Sequence, residues 1–580
     1  MALTWQRCCA ALALMTVFAV SQKPPHVVFI MVDDMGWNDV SFHGSDQIQT
    51  PNIDTLAYQG VILQQYYSEA MCTPARTALL TGKYPMRLGM HGFPLFNSED
   101  RGIPLTERLL PSYLKDLGYS THLVGKWHVG MSRDEYLPTN RGYDSHYGMR
   151  GGFVDYYTYN KIESWPDGRT MFGLDLFDGL LPQNKEQRYI VDALTDRAID
   201  IIKGHNESVP LFLHVAHNAP HAGNAGGALP RLYSTVKNRH VANSDRRLYA
   251  DIVTHLDQSI GELVRALAYK NILHDTLIIF ASDNGAPTVG ALRNWGSNLP
   301  FRGKKMTPWE GGVRVPAFIW HSSLKPTVWD GLMHITDWLP TLAAAAGSSI
   351  DKELDGVNQW ESISQDGASN RNEVLIALED SDMNRYAAYR AGDYKVIIGN
   401  VSGLSNGFYG SELMVNKESP PDYHTILRNC EAAKALNSIG LFTTREQIDT
   451  SRLAATIRQQ DVQSDVRNCE PSPTRGCLYN IRRDPMETHN LWRQASRIST
   501  MMTNRLRELW GMQQRRGPFN LQAEADPALF DYTWMPWLSE TNLLASIDDN
   551  TLTYDSLIGK SDALLELGDR RGRISGNVVG

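Results

Sequence analysis

Two pairs of oxygen-bearing side chains close two apolar runs of this sequence: Asp33-Asp34 after His26 to Val32, and Asp283-Asn284 after Leu277 to Ser282. Adjacent carboxylates repel unless a positive charge lies between them. Three carboxylates and one amide oxygen make an all-oxygen ligand set, suited to Ca2+ or Mg2+ rather than zinc. One Asp-Asp pair alone reads as a solvated turn, but its recurrence at a second strand end weighs against that. His217 and His221 stand four apart, and Pro220 between them argues against a two-histidine helical zinc face. Cys72 precedes Thr73-Pro74-Ala75-Arg76. Thr73 is a good N-cap and Pro74 a good first helical residue, so Cys72 is expected just before a helix N-terminus, where backbone N–H groups favour an anion. Lys126-Trp127-His128 follows strand-like His122 to Val124, His217 follows Leu211 to Ala216, and Lys305 lies just before Trp309-Glu310-Gly311-Gly312. A histidine taken singly is more often structural than catalytic. A cation with Arg76, Lys126, Lys305 and two histidines around one nucleophile describes a pocket for a tetrahedral oxyanion. That chemistry is metal-assisted hydrolysis of a sulfate or a phosphate ester.

Something must bring residues so far apart together. Residues 25 to about 345 alternate between strand and helix patterns. His26 to Val32 is nearly unbroken apolar, as in a strand buried on both faces, and Val61 to Tyr67, Leu211 to Ala216, Leu277 to Ser282 and Val313 to Trp320 are similar. Helical faces carry Leu105, Leu109, Leu110, Tyr113, Leu114 and Leu117, then Ile190, Leu194, Ala198 and Ile201, then the row Leu248 to Leu267. Such alternation implies a wound α/β domain with helices on both sheet faces. Ligands then gather at the carboxyl ends of the strands, where Asp33, Asp34, Cys72, Lys126, His217 and Asp283 all fall. After about 370 the pattern changes. Glu373 to Leu378 and Tyr386 to Ile398 read as short strands and Thr444 to Gln459 as helix, in a smaller α+β domain.

The bulk composition fits this division. A chain of 580 residues with 42% hydrophobic side chains can bury a large core and a smaller one. A net charge of −8 leaves no basic footprint for nucleic acid. Arg7, the apolar run Cys8 to Val20 and the small residues before Gln22 read as a signal peptide over residues 1–21, and no later run is long enough to span a membrane. Asn206 and Asn400 open glycosylation sequons. Among Cys430, Cys469 and Cys477 one disulfide is expected, with the pairing open. The protein is therefore expected in the secretory pathway, lysosomal or extracellular.

Longer motifs carry a resemblance. Cys72-Thr73-Pro74-Ala75-Arg76 with Leu80-Thr81-Gly82-Lys83 resembles the sulfatase signature, in which a Cys-x-Pro-x-Arg core directs oxidation of the cysteine to formylglycine. Asp33 to Trp37, Thr50 to Asp54, Gly125 to His128, Ser282 to Gly285 and Asp484 to Glu487 match the family's other motifs. Gly303 to Arg314 and His334 to Pro340 look most like the arylsulfatase B (N-acetylgalactosamine-4-sulfatase) branch. Lys83 and Ala75 depart from the common signature but leave its core intact.

The resemblance implies an alkaline-phosphatase-like fold, with a large mixed sheet flanked by helices and a smaller C-terminal α+β domain carrying an antiparallel sheet. It divides the chain into a catalytic domain, 22–375, and a C-terminal domain, 376–580. It implies one Ca2+ held by Asp33, Asp34, Asp283, Asn284 and an oxygen of residue 72, and a formylglycine-generating enzyme as partner in maturation. The substrate would be a sulfated glycan or another sulfate ester. The hydrated aldehyde would be the nucleophile, with His217 and Lys305 protonating the leaving alcohol, His128 the base that lets sulfate leave, and Arg76 and Lys126 orienting the hydrate. His221 is the second candidate for the place given to His217. Two other readings stand beside this one: a phosphodiesterase or phosphonate hydrolase on the same fold, and a secreted calcium- and glycan-binding protein without activity.

Overall fold

The computed structural model describes residues 24–184, 188–223, 229–230, 237–290, 292–350, 352–380, 385–401, 406–458, 469–472, 475–516 and 519–539. The expected signal peptide lies outside them. Ten strands form one sheet: β1 (His26–Val32), β2 (Val61–Tyr67), β3 (Ser120–Gly125), β4 (Ser145–Gly148), β7 (Phe177–Asp178), β8 (Leu181–Pro182), β9 (Leu211–Ala216), β10 (Thr276–Ser282), β11 (Ala317–Trp320) and β12 (Thr327–His334). A hairpin of β5 (Asn160–Ser164) and β6 (Thr170–Leu174) stands apart. The sheet order is β12-β2-β11-β10-β1-β9-β3-β4-β7-β8, and its centre, β10-β1-β9-β3-β4, is parallel.

The apolar run of β1 becomes the middle strand because both its faces are covered. Val28, Ile30 and Val32 belong to one core, under the helices α1 (Pro51–Gln59), α4 (Ile190–Gly204) and α5 (Ser244–Tyr269). Val27, Phe29 and Met31 belong to the other, under α2 (Cys72–Thr81), α3 (Leu110–Asp116) and the helix Trp338–Ala345. Each fully buried side chain of this size contributes about 1.5–3 kcal/mol. Phe29, with edge contacts to Trp338 and His214 at 5.5 and 5.6 Å, is the residue whose truncation would cost most in this strand.

Several local expectations shift. Residues 313–320 are not one strand: Glu310–Val313 is a helical turn, and β11 begins only at Ala317. The helix expected from Leu105 starts at Leu110, ahead of Pro111. α2 starts at Cys72 itself, with Met71 as N-cap and no capping side chain. Thr73 instead accepts from the Leu95 N–H at 3.1 Å and donates to the His128 carbonyl at 3.0 Å.

The smaller antiparallel sheet is β13 (Glu373–Asp380), β14 (Arg385–Ala391), β15 (Tyr394–Asn400) and β16 (Cys477–Asn480), with the helix Ser496–Gly511 packed on it. Beyond residue 375 the chain does not stay with this sheet. Helices Tyr423–Asn429, Glu431–Ser438 and Arg445–Ala455 bury Leu427, Leu436 and Ile448 in the first core, against α1 and α5. Residues 519–539 return to the β5–β6 hairpin, where Trp534 is fully buried. Cys469 and Cys477 form the disulfide, while Cys430 and Cys72 are free, buried thiols. Asn206 and Asn400 are both exposed. No helix among the described residues is long and apolar enough to cross a membrane.

Candidate active site

Register delivers the charged residues to one edge. Val32 pairs with Ser282, Met31 with Ala216 and Gly125 with Ala216. The next residues on these strands are Asp33, Asp283, His217 and Lys126. The ladder continues one step further: the N–H of Asp283 bonds the Val32 carbonyl (3.0 Å), that of His217 the Met31 carbonyl (2.9 Å) and that of Lys126 the Ala216 carbonyl (2.8 Å). The side chains beyond that step are thus aligned by backbone bonds rather than by loops.

Strand alternation then decides which of them meet. Val27, Phe29, Met31 and Asp33 share one face, as do Leu277, Ile279, Ala281 and Asp283, and that is the face carrying α2. Arg76 of α2 donates to Asp283 Oδ2 (2.9 Å) and to the Lys126 carbonyl (3.3 Å). Cys72 Sγ lies 3.4 Å from Asp33 Oδ1 and 3.2 Å from Lys305 Nζ. Lys126 Nζ bonds Asp33 Oδ2 (2.6 Å) and Lys305 Nζ bonds Asp34 Oδ1 (2.5 Å). Lys126 reaches this face because Gly125, at φ +114°, breaks the alternation; a Cβ there would meet the Ala216 carbonyl oxygen at 1.9 Å.

All these groups are buried, so their charges act through protein rather than water. Burial pushes the Asp33 carboxyl up, but Lys126 and then His221 outweigh it and hold the group below its ordinary range. Burial works against the Lys305 ammonium, and Asp34, Cys72 and Asp33 more than restore it. Burial, then Asp283 and Asp33, push the Cys72 thiol up.

The donor set fits a hard cation. Asp33, Asp34, Cys72 and His221 present ligand atoms within 4.8 Å of one another. Asp34 is held at φ +67° with its N–H on Asp283 Oδ1 (3.2 Å). Asp34 Oδ2 and Asn284 Oδ1 are buried without a hydrogen-bond partner, while Asn284 Nδ2 lies 2.5 Å from Asp34 Oδ1. As placed, Asn284 Nδ2 also donates to the Gly285 carbonyl (3.0 Å); a half-turn of the amide would turn its oxygen toward Asp34, an arrangement that a cation bound there would stabilise.

The two histidines are sorted differently from the sequence expectation. His217 continues the face of Leu211, Leu213 and Val215, under α5. Its Nε2 lies 3.5 Å from Ser259 Oγ, and burial, then His255, depress it to about 3. It does not face Cys72. His221, the second candidate, faces the cluster with Nε2 3.4 Å from Asp34 Oδ2. Its Nδ1 lies 2.6 Å from the Ala222 carbonyl, and Phe153 stacks on the ring at 5.0 Å. The period-2 pattern of β9 is the signal that could have separated them. His128, at φ +59°, places Nε2 3.0 Å from the Leu95 carbonyl and leaves Nδ1 without a partner. Burial, Lys126 and Lys161 depress it well below the ordinary histidine range. Lys161 was not singled out in the sequence; its surroundings here, Asn97 and Glu163, lie 64 and 2 residues away.

Known proteins share this framework. Arylsulfatase J of Mus musculus is 40% identical over 364 residues, 61% of this chain and 58% of that one, so the chain spans less than two thirds of that relative. Human N-acetylgalactosamine-6-sulfatase is 32% identical over 353 residues (58% and 65%), and human arylsulfatase A 32% over 405 residues (66% and 76%). Among solved structures, that of Ps i-CgsB superposes with a TM-score of 0.65 at 25% identity, covering 88% of this chain and 100% of the other. The PsFucS1 sulfatase from Pseudoalteromonas sp. has the same fold, at TM-score 0.58 and 24% identity over 86% and 92%. The architecture is the alkaline-phosphatase-like fold of these sulfatases. The model of the sulfatase family matches residues 25–348, more than half of the 580, and the chain belongs to the sulfatase family.

Proposed function

We propose that the chain is a sulfuric ester hydrolase acting on sulfated glycans, with residue 72 working after conversion of Cys72 to formylglycine. The observation that carries this reading is the meeting of Cys72, Asp33 and Lys305 within 3.4 Å beside the unpartnered Asp34 Oδ2 and Asn284 Oδ1. In this protein the Cys72 thiol stands where the aldehyde hydrate would be. The hydrate offers two hydroxyls, one to attack sulfur and one whose proton must leave before sulfate can, which an ordinary thiol or hydroxyl lacks. Ca2+ held by Asp33, Asp34, Asp283 and Asn284 would supply positive charge at the sulfate oxygens and acidify a hydroxyl beside it.

The chain's own groups do the rest. Arg76 fixes Asp283, and Lys126 fixes Asp33, so that neither carboxylate can turn away. Lys305 reaches both residue 72 and Asp34, which places it beside the attacked ester. His221 takes the role expected of His217: the Ala222 carbonyl holds the Nδ1 proton, and the imidazolium form, which burial opposes and Asp34 and Asp33 favour, gives its Nε2 proton to the leaving alcohol and is left as the neutral ring. His128, with Nδ1 unpartnered, is the base for the second hydroxyl. Since Cys72 is 2% exposed, a formylglycine-generating enzyme would act before the fold closes, which fits passage through the secretory pathway. The relatives' names support an N-acetylgalactosamine 6-sulfate as substrate, and the sequence resemblance to the arylsulfatase B branch adds the 4-sulfate as the second candidate.

The test is release of sulfate from 4-nitrophenyl sulfate beside release of phosphate from 4-nitrophenyl phosphate, then from N-acetylgalactosamine 4- and 6-sulfates. A clear preference for the sulfate ester is expected. Faster phosphate release would move the protein to the phosphoesterase reading, and no release of either to the non-catalytic one.

A further inference from the structure

The loop 91–101 forms a wall of the site. Leu95 touches it twice, through its N–H on Thr73 and its carbonyl on His128 Nε2. The residues either side of Leu95 lead outward. Phe93 and Phe96, both half-buried, stack at 5.6 Å, and Phe519 packs edge-on against them at 6.0 and 5.6 Å with 39% of its surface exposed. Successive Cα atoms are about 3.8 Å apart, so Phe96 begins one residue step from the backbone that contacts His128. The C-terminal segment is laced to this loop: the Asp100 N–H bonds the Asn520 carbonyl (3.1 Å) and the Gln522 N–H the Ser98 carbonyl (2.9 Å).

Beneath the aromatic rings lies an unusual cation. The Arg516 side chain is 10% exposed and its guanidinium lies 4.3 Å from the centre of the Phe519 ring. Both its terminal nitrogens are buried without a partner, and its nearest ion-pair contact is Glu99 Oε1 at 3.9 Å. That oxygen is already held by Arg101 Nε at 2.8 Å, and Arg101 Nη2 is also buried without a partner. Two guanidinium groups thus share Glu99, with Glu379 across Gly92 the next carboxylate, and three of their nitrogens make no hydrogen bond. Burying a charged donor unsatisfied costs more than a neutral one, and a fold keeps such a group where something else satisfies it. Burial, then Arg101, depress Arg516 to about 10, the electrostatic trace of that shortage.

Arginine forks recognise sulfate and carboxylate groups, and flat aromatic rings offer an apolar face to a ring-shaped ligand. We propose that Arg516 and Arg101, with Phe93, Phe96 and Phe519, form a subsite for a second anionic group, a sulfate or carboxylate on the sugar next to the ester being cleaved. This rests on the sulfatase reading and adds the substrate's shape: an oligosaccharide with anions on neighbouring sugars.

The test is calorimetric binding to the Cys72→Ala protein, which holds substrate without turnover. The probes are a chondroitin sulfate tetrasaccharide, its carboxyl-reduced form, a carrageenan tetrasaccharide sulfated on neighbouring sugars, and 4-nitrophenyl sulfate with a single anion. Adding Arg516→Gln should weaken one or both multiply charged oligosaccharides about tenfold, a ratio equivalent to one charge-assisted contact, and 4-nitrophenyl sulfate less than twofold. Arg516→Lys should recover part of the loss. A larger loss for the native tetrasaccharide than for its reduced form identifies a carboxylate; a loss for the carrageenan probe identifies a sulfate. Equal losses for all probes, or none, overturn the subsite. Phe519→Ser, at an exposed ring, should give the same pattern more weakly and serves if Arg516→Gln does not fold. Sulfate release by the unsubstituted protein tests the sulfatase reading separately, so either can fail alone.

Discussion

Two buried charge clusters lie within one chain segment of each other and do different work. One joins the two sheets. Lys395 Nζ of β15 bonds Glu310 Oε1 and Glu487 Oε1, both at 2.8 Å, Tyr67 donates to Glu310 Oε2 (2.7 Å) and the Glu310 N–H to Glu487 Oε2 (2.8 Å). Three of its four carboxylate oxygens accept a hydrogen bond, and the fourth, Glu487 Oε1, faces the Lys395 ammonium at 2.8 Å. The other cluster, around Cys72, brings ligand atoms of Asp33, Asp34, Cys72 and His221 within 4.8 Å of one another, with Asp283 on the Asp34 N–H, and leaves Asp34 Oδ2 and Asn284 Oδ1 without a hydrogen bond. A network closed on itself fixes a fold. One left open with surplus acceptors is built for something the chain does not contain.

The sharpest way to break this contrast is to remove an acceptor from the open cluster. Asp283→Ala should abolish calcium binding and bring sulfate release down by about a thousandfold. Elemental analysis should find calcium in the unsubstituted protein and none in the variant, and a chelator should lower the Tm of the former only. Stoichiometric zinc without calcium would contradict the ligand set.

The two histidines give the next largest effect. His221→Ala should slow cleavage of a sulfate ester with a poor leaving alcohol by about a hundredfold or more, and 4-nitrophenyl sulfate much less, because only the first needs its leaving oxygen protonated. His217→Ala should leave both rates nearly unchanged. The reverse result would return the role to His217, as the sequence alone suggested.

The closed cluster should answer to stability rather than to turnover. Burial, against the pull of Lys395, pushes Glu487 up to about 7, above the ordinary glutamate range, and burial alone pushes Glu69 up to about 8. Between pH 4.5 and these values the folded state binds more protons than the unfolded one, so stability falls as pH rises. The Tm should therefore be higher at pH 5 than at pH 8 by a few degrees. Glu487→Gln, which mimics the protonated form, should shrink that difference; an unchanged slope would remove Glu487 from the account. Cys469→Ser, opening a bridge that spans 8 residues, should cost about 2–3 kcal/mol in denaturant unfolding and leave the catalytic rate constant unaltered.

The sequence made the central strands and their ends legible for one reason. β1, β2, β9 and β10 are buried on both faces, which writes them as largely apolar runs, broken by Gln64-Gln65 in β2 and by His214 in β9, and the first polar residues after such runs sit at the sheet edge. Asp33, Asp34 and Asp283 were placed by that alone, and Lys126 by the shorter strand-like stretch His122 to Val124. The histidine choice needed alternation as well as position: Leu211, Leu213, Val215 and His217 lie on the α5 face, so the residue nearest the strand end points the wrong way. The boundary at 375 was less legible because later helices are amphipathic toward a core made hundreds of residues earlier. Leu427 and Leu436 announce a buried face but not which sheet covers it. Nor could spacing announce Arg516, whose neighbours Arg101 and Glu99 lie more than 400 residues upstream.

The central claim is that residue 72 acts as an aldehyde hydrate, and peptide mass spectrometry of protein purified from a secretory host tests it most directly. The account predicts formylglycine at residue 72 in the fraction that releases sulfate from 4-nitrophenyl sulfate, and an inactive fraction that keeps the Cys72 thiol. An intact thiol in protein that turns over the ester would contradict it.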